Sequence, residues 1–207
     1  MEETIDRGPA VKKTALIAAI FMMSLAVHAE DAIQTEIFFS KKIKLTQKTR
    51  VAVVPFELTA GWAGAPSEAM TKKSVESKNT EKFELALLQS GVSVVERNKL
   101  DSVLAELSLT QSGLTDANSM KVGKVLAADI IVTGTIPLWS YHDNIKKGFF
   151  EVLIKGIVVE TGEVAFKASF STQIPATNDE FRFQMAQLET KVYRIFGENM
   201  EKKVTKK

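Results

Sequence analysis

The chain has 207 residues, of which 45% are hydrophobic and 25% charged, the balance of one globular domain or two small ones. Lys and Arg number 27 against 25 Asp and Glu, so a formal charge of +2 gives no argument for nucleic acid as a partner. The chain has no Cys and only two His. Disulfides, thiolate nucleophiles, zinc–thiolate sites and a lipid thioether are therefore excluded, and imidazole chemistry nearly so.

The N-terminal residues have the pattern of an export signal. Lys12 and Lys13 precede the apolar residues 15–27, and small side chains follow up to Ala29. This pattern predicts a signal peptide over residues 1–29, cleaved after Ala29, and hence a periplasmic protein without a lipid anchor. A transmembrane anchor is the alternative, but the apolar run is shorter than the ~20 residues that a spanning helix needs.

The residues in front of the apolar run raise a question about the translation start. Residues 1–10 are acidic and unlike a signal, so an upstream mis-start with Val11 as the true first residue is a second hypothesis.

Three further segments are predicted after the signal. A lead-in segment of no clear type covers residues 30–49. The domain proper spans residues 50–200, and a basic tail covers residues 201–207.

Strands and helices alternate along the predicted domain. Hydrophobic runs, helical spacing and capping residues predict strand 51–56, helix 67–89, strand 92–96, helices capped by Asn98 and Asp116, strand 128–136, strands 149–159 and 163–172, and a helix capped by Asn178. This β-α-β-α-α-β-β-β-α order predicts an α/β fold, with a single mixed sheet of about five strands and helices packed on it.

The last two predicted strands form a hairpin around the turn Thr161-Gly162. Apolar and polar side chains alternate over residues 164–171 of the second strand. We therefore expect one face of this strand to be buried and the other to contact water.

Three stretches together resemble the CsgG family, which is named for the curli secretion channel of the outer membrane. They are Val51-Ala-Val-Val-Pro-Phe56, then Val94-Val-Glu-Arg97 continuing to Ser112-Gly113-Leu114, and Ala128-Asp-Ile-Ile-Val-Thr-Gly-Thr-Ile136 with Glu160-Thr-Gly-Glu-Val164. The resemblance implies an α/β periplasmic domain related to LpoB-type domains. It brings no catalytic residues and no cofactor.

Two features of the channel are missing from this sequence. The lipid anchor of the channel requires an N-terminal Cys, which this chain lacks. The membrane hairpins of the channel need strands of ~9–11 residues, but only residues 137–148 separate the third predicted strand from the fourth, and only residues 173–177 precede the last helix. We therefore expect the periplasmic domain of the family without its pore.

The loop after the first predicted strand is the first candidate site. It lies at the carboxyl edge of the sheet, where α/β proteins often bind ligands, but it lacks the phosphate-binding pattern Gly-x-x-x-x-Gly-Lys-[Ser/Thr]. Three interpretations stay open. Gly61, Trp62 and Gly64 contact a protein partner, form a plain flexible loop, or bind an anion or nucleotide.

The predicted loop between the third and fourth strands is the second candidate site. It contains Trp139 and Tyr141. Large aromatic side chains in loops are enriched at protein interfaces, so both are partner-binding candidates. An equally good interpretation is that Trp139 caps the core.

Other polar groups are interpreted as structural. Glu96 and Arg97 end a strand and open a helix, where an ion pair or cap is the common arrangement. Glu160 and Glu163 flank an exposed turn and are expected to be solvated rather than a hydrolytic carboxylate pair. His142 lacks the neighbours that a catalytic histidine needs.

The sequence thus predicts a non-enzymatic periplasmic protein-interaction module in outer-membrane assembly, secretion or cell-envelope biogenesis. Its expected partner is an envelope protein and not nucleic acid, with peripheral membrane contact by the lysine tail and homo-oligomer formation left open. The alternatives are an LpoB-like activator of a peptidoglycan synthase, a ring-forming accessory of a secretion channel, and a small-ligand or nucleotide-binding domain. No metal or cofactor is expected.

Overall fold

The computed structural model describes residues 33–59, 72–109, 115–175 and 177–205. Its helices are α1 (Lys72–Gln89), α2 (Arg97–Glu106), α3 (Asp116–Val125) and α4 (Asn178–Glu201). Its strands are β1 (Ile33–Phe39), β2 (Leu45–Thr46), β3 (Arg50–Val53), β4 (Glu57–Leu58), β5 (Ser93–Val94), β6 (Ile130–His142), β7 (Lys147–Val158), β8 (Val164–Pro175) and β9 (Val204–Thr205).

Seven of the described strands form one mixed sheet, which confirms the predicted fold class. Its order is β1-β8-β7-β6-β3-β5, and β4 also pairs with β6. The strands β5, β3 and β6 are parallel, whereas β6, β7, β8 and β1 are antiparallel. The lead-in, which the sequence left without a type, supplies β1, and β2 pairs with β9 in a separate parallel pair.

Helices cover the two faces of the sheet unequally. The apolar side chains of α1 and α4 pack on one face, in a large core cluster that includes Phe83, Phe166 and Phe196. The helices α2 and α3 pack on the other face through a smaller cluster that reaches Ile131 and Ile157. Because burying one large apolar side chain stabilises a fold by about 1.5–3 kcal/mol, the first face contributes most of the core energy.

The alternation predicted for the last strand is confirmed. Phe166 and Phe170 of β8 are fully buried against the α4 side, while Lys167 between them is exposed. The turn at the other end of the hairpin holds Gly162 at a φ of +74°, a conformation that glycine adopts without strain.

The third predicted strand is longer than the sequence indicated, and the predicted loop at 137–148 is wrong. Strand β6 continues to His142, and only four residues turn the chain into β7. The register of the β6–β7 pair shifts between Thr135 and Leu138, and Pro137 lies at this irregularity. A proline has no N–H to donate to a strand pair, so Pro137 predicted the end of the strand. In the structure a bulge accommodates the proline, and the strand continues beyond it.

The three predicted helix caps are displaced by one or two residues. Several polar residues are adjacent at the start of each helix, and the N-cap residue is the one whose backbone is extended. N-cap preference alone does not identify that residue. The observed N-caps are Glu96 rather than Asn98, Thr115 rather than Asp116, and Thr177 rather than Asn178.

None of the helices in the described ranges is both long and apolar enough to cross a bilayer. The predicted signal peptide lies outside the described residues and stays a prediction.

Candidate functional site

The antiparallel half of the sheet has a face, opposite α4, that no helix of the described residues covers completely. On this face α2 and α3 pack over the start of β6 and the end of β7, through Ile131 and Ile157. Further along these strands, Thr133 and Lys155 are half-buried and Leu153 is exposed. A groove of about 740 Å³ follows this uncovered surface. We call it the sheet groove, and its central lining residues are Glu36, Phe38, Glu57, Thr133, Thr135, Leu153, Lys155, Lys167 and Ser169.

Strand register sets these residues in two rows across the groove. The first row crosses five strands in the order Glu36, Ser169, Leu153, Thr135, Glu57. Four inter-strand spacings separate its ends, a span of roughly 19 Å. A carboxylate therefore lies at each end of the row, with an apolar side chain between them.

The second row crosses four strands in the order Phe38, Lys167, Lys155, Thr133. The Lys155 Nζ lies 2.6 Å from Asp116 Oδ1, at the first residue of α3. This ion pair fixes the lysine against the wall that α3 forms. Lys167 makes no ion pair with any described residue.

The groove also exposes apolar surface. Phe38 is 58% exposed and Leu153 is 40% exposed. The described residues contain no group of three or more metal-ligating side chains. What the groove offers is apolar contact together with charges of both signs, the chemistry of binding another surface.

A buried polar network lies on the opposite face, between β6, α1 and α4. Glu189 of α4 is 5% exposed, and its Oε1 accepts hydrogen bonds from Trp139 Nε1 at 2.9 Å and from Asn79 Nδ2 at 3.2 Å. Its Oε2 lies 2.5 Å from Lys82 Nζ. Each polar atom of the carboxylate thus has a partner, as a buried charge requires.

Tyr193 extends this network. Its hydroxyl donates a 2.7 Å hydrogen bond to Asn79 Oδ1. Burial, reinforced by the charge of Glu189, raises the pKa of Tyr193 well above its usual value. The hydroxyl therefore remains a neutral donor, and the network fixes the α1–α4 packing.

The residues predicted to bind a partner are not brought together in one described site. Gly61, Trp62 and Gly64 lie outside the described residues. Trp139 and Tyr141 are in β6 and not in a loop, so their predicted location is wrong. They are 3% and 5% exposed, because β6 continues beneath Phe181 of α4 and both rings pack against it. Their role in partner binding stays a prediction.

The hairpin tip beyond Tyr141 has its own polar contacts. The Tyr141 hydroxyl donates to Asp143 Oδ1 at 3.1 Å, and Lys146 Nζ donates to the same atom at 2.6 Å. The hydrogen bond from Lys146, with that from Tyr141, lowers the pKa of Asp143 below its usual value. The neighbouring His142 is exposed; its Nε2 lies 3.3 Å from Ser140 Oγ, and its ring contacts Phe149 edge-on with 5.3 Å between the ring centroids.

The remaining predicted polar groups are structural in position. Glu96 is the N-cap residue of α2 and pairs with Lys99 at 3.2 Å, whereas Arg97 pairs with Glu84 at 3.7 Å. Burial raises the pKa of Glu84, and the charge of Arg97 opposes this. Glu96 and Arg97 thus have the structural roles predicted for them, a cap position and ion pairs, although they pair with Lys99 and Glu84 rather than with each other.

Part of the sheet groove could be predicted from the sequence. The alternation along β8 predicted that Lys167 and Ser169 would face water. Glu36 and Phe38 were missed because they belong to the lead-in. Its pairing with a strand 130 residues away is not encoded in any local pattern.

Comparison with known proteins supports the fold. Residues 34–169 match the sequence model of the family described as "Curli production assembly/transport component CsgG". No curated protein matches the chain. The hypothetical protein CT253 from Chlamydia trachomatis shares the fold, with a TM-score of 0.53, 13% identity, and coverage of 75% of this chain and 97% of that chain.

Two other solved structures are similar at lower scores. A PelC dodecamer from Paraburkholderia phytofirmans has a TM-score of 0.48 and 13% identity, covering 84% of this chain and 99% of that chain. The LpoB C-terminal domain from Salmonella enterica has a TM-score of 0.45 and 14% identity, covering 64% of this chain and 87% of that chain. The family match includes the strands β1, β3 and β6 to β8 up to residue 169, which together carry most of the groove. Because this match spans more than half of the 207 residues, the chain belongs to the CsgG family.

Proposed function

We propose that this protein is a non-enzymatic protein-interaction module of the bacterial cell envelope, exported to the periplasm, and that the sheet groove is where its partner binds. Membership of the CsgG family and the predicted signal peptide support the location. The observation that carries the binding role is the sheet face left open by the described residues, where Leu153 is exposed between Glu36 and Glu57 in the first row and Phe38 is exposed beside Lys167 in the second.

The occupant that best fits the groove is a protein segment with an apolar side chain flanked by lysine or arginine. Glu36 and Glu57 end the first row without an ion pair to any described residue, so they would complement cations on either side of Leu153. On the same face α2 and α3 already pack as helices. A partner helix of about 13 residues would span the roughly 19 Å between the two carboxylates.

A protein-binding role is compatible with two more specific functions that were considered from the sequence. A peptidoglycan synthase activated in the manner of LpoB and a secretion channel are both partners of the proposed class. The identity of the partner distinguishes them.

Site-specific photo-crosslinking in intact cells tests the proposal. A photo-reactive amino acid at position 153 is expected to capture a defined protein. The same amino acid at position 88 is the control, because Leu88 is 53% exposed on α1, which covers the opposite face. Replacing Glu36→Lys and Glu57→Lys together is expected to abolish the adduct at position 153. An adduct that survives this charge reversal, or equal capture at positions 153 and 88, would contradict the proposal.

A further inference from the structure

Two lysine-rich segments that lie at opposite ends of the sequence come together in the fold. Strand β2 follows the basic residues of the lead-in, and strand β9 follows those after α4. The parallel pair aligns Leu45 with Val204, so Lys44 and Lys203 directly precede paired residues. We call the resulting surface the lysine patch; its described residues are Lys41, Lys42, Lys44, Lys48, Lys202 and Lys203.

The scaffold under the patch is ordered by burial and hydrogen bonds. Leu45 is 4% exposed and Val204 is 8% exposed, and both belong to the large core cluster. The turn after β2 is closed by a 3.0 Å bond from the Thr49 N–H to the Thr46 carbonyl and a 2.9 Å bond from the Thr46 N–H to Thr49 Oγ1. The β2–β9 pair thus holds the two segments next to each other.

The lysines of the patch have no direct acidic partner among the described residues. All six lysines are exposed, and none of them forms an ion pair with a described residue. The two segments thus bring six exposed positive charges together in a chain whose total formal charge is +2. Such a patch attracts an extended anionic surface.

We propose that the lysine patch docks the protein on the surface of an anionic phospholipid bilayer. Protein interfaces are depleted of lysine and have apolar or aromatic centres, whereas none of the residues 41–48 or 202–205 is an exposed large hydrophobic side chain. Six lysines and no arginine provide hydrated point charges rather than planar groups for bidentate recognition. Clusters of about four to eight basic side chains next to a membrane attract anionic lipid headgroups, and the patch has a number of charges in this range.

The patch is separate in mechanism from the proposed partner site. The sheet groove binds through Leu153 and its flanking charges, while the patch needs only charge density. Membrane docking can therefore be measured with purified protein and lipid, without any protein partner.

Vesicle flotation with the processed chain isolated from cells tests the proposal. The protein is expected to float with vesicles of equimolar phosphatidylcholine and phosphatidylglycerol, and not with phosphatidylcholine alone. A salt concentration of about 1 M should release it, because the screening length falls to about 3 Å. Equal flotation with neutral vesicles, or binding that resists salt, would overturn the proposal.

Three variants of equal charge change separate the patch from its parts. Each lysine near an anionic surface raises partitioning roughly fivefold. Lys42→Gln with Lys44→Gln, and Lys202→Gln with Lys203→Gln, should therefore each reduce partitioning by more than about tenfold. The control, Lys121→Gln with Lys124→Gln on α3, should leave it unchanged.

The variants also decide against the competing explanations. If only the Lys202 and Lys203 changes weaken binding, a solvated tail is responsible and the patch proposal is wrong. The same conclusion follows if the α3 control weakens binding equally, or if the protein binds soluble heparin but no vesicles. Circular dichroism of each variant confirms that the fold is retained.

Discussion

The carboxylate of Glu189 connects three elements through single hydrogen bonds. It accepts from Trp139 in β6 and Asn79 in α1, and it pairs with Lys82, also in α1. The carboxylate is buried while Lys82 is partly exposed, so the hydrogen bonds from Trp139 and Asn79 are stronger than they would be at the surface. Trp139 therefore has a structural role as the donor that fixes β6 to α4.

Replacing Glu189→Ala should reduce the free energy of unfolding by about 2–4 kcal/mol, because Trp139 Nε1 loses this acceptor in a buried site, Asn79 Nδ2 keeps only its bond to the Val75 carbonyl, and Lys82 loses its ion pair. Urea denaturation measures the change. Glu198→Ala is the control on the same helix, since Glu198 is exposed and 3.7 Å from Arg194; it should change stability by less than about 0.5 kcal/mol. Equal effects of the two substitutions would show that the network is not what stabilises this contact.

At the scale of elements, the contact between α1 and α4 depends on a glycine. Residue pairs along the two helices advance in the same direction, from Asn79 with Tyr193 to Ala86 with Gly197, so the helices are parallel. A Cβ on Gly197 would lie 2.9 Å from the Ala86 carbonyl oxygen, which belongs to the backbone and cannot rotate away. The glycine thus sets how closely the helices approach.

Gly197→Ala should destabilise the protein even though alanine is the better helix former. The substitution gains about 1 kcal/mol of helix propensity, while forcing the helices apart costs about 1–3 kcal/mol. We expect a net loss of up to about 2 kcal/mol in thermal or urea unfolding. Gln187→Ala, at an exposed position of α4, is the control and should be neutral or slightly stabilising. A stabilised Gly197→Ala variant would mean that the helices can separate at no cost.

At the scale of the whole molecule, segments distant in sequence complete the domain. β1 adds an edge strand to β8, and the two-residue strand β9 holds the C-terminal segment against β2. These pairings place one side of the sheet groove and both halves of the lysine patch. The surfaces proposed for binding thus depend on contacts between distant parts of the chain.

Val204→Ala should weaken the pairing of β9 with β2. Removing two buried methyl carbons costs about 1–2 kcal/mol of unfolding free energy, and β9 has only one other residue to hold it. Hydrogen exchange at residues 45–46 should accelerate together with the global destabilisation. Thr205→Ala, at the exposed neighbouring position, should leave both quantities within error. Unchanged exchange in the Val204→Ala variant would indicate that β9 does not protect β2.

Local patterns were sufficient for most elements of the domain. Apolar runs identified β3 and the start of β6, helical spacing identified α2 and α3, and alternation identified the buried and wet faces of β8. These features depend only on which side chains neighbour each other along the chain. The limits of β6 and the three helix caps were missed, because a bulge around Pro137 and the choice among adjacent polar caps depend on partners elsewhere.

The sequence by itself determined the α/β class, the membership of the CsgG family and the polarity of each face, because period and composition are properties of the chain alone. Only the tertiary structure decided that the lead-in contains a strand and that Trp139 is buried with its Nε1 bonded to Glu189. It also decided that, among the described residues, the outer face of β8 remains open as part of the sheet groove. It also joined the two lysine segments. The physical reason is that strand pairing and helix packing bring together residues more than a hundred positions apart, and their complementarity is expressed only after the chain has folded.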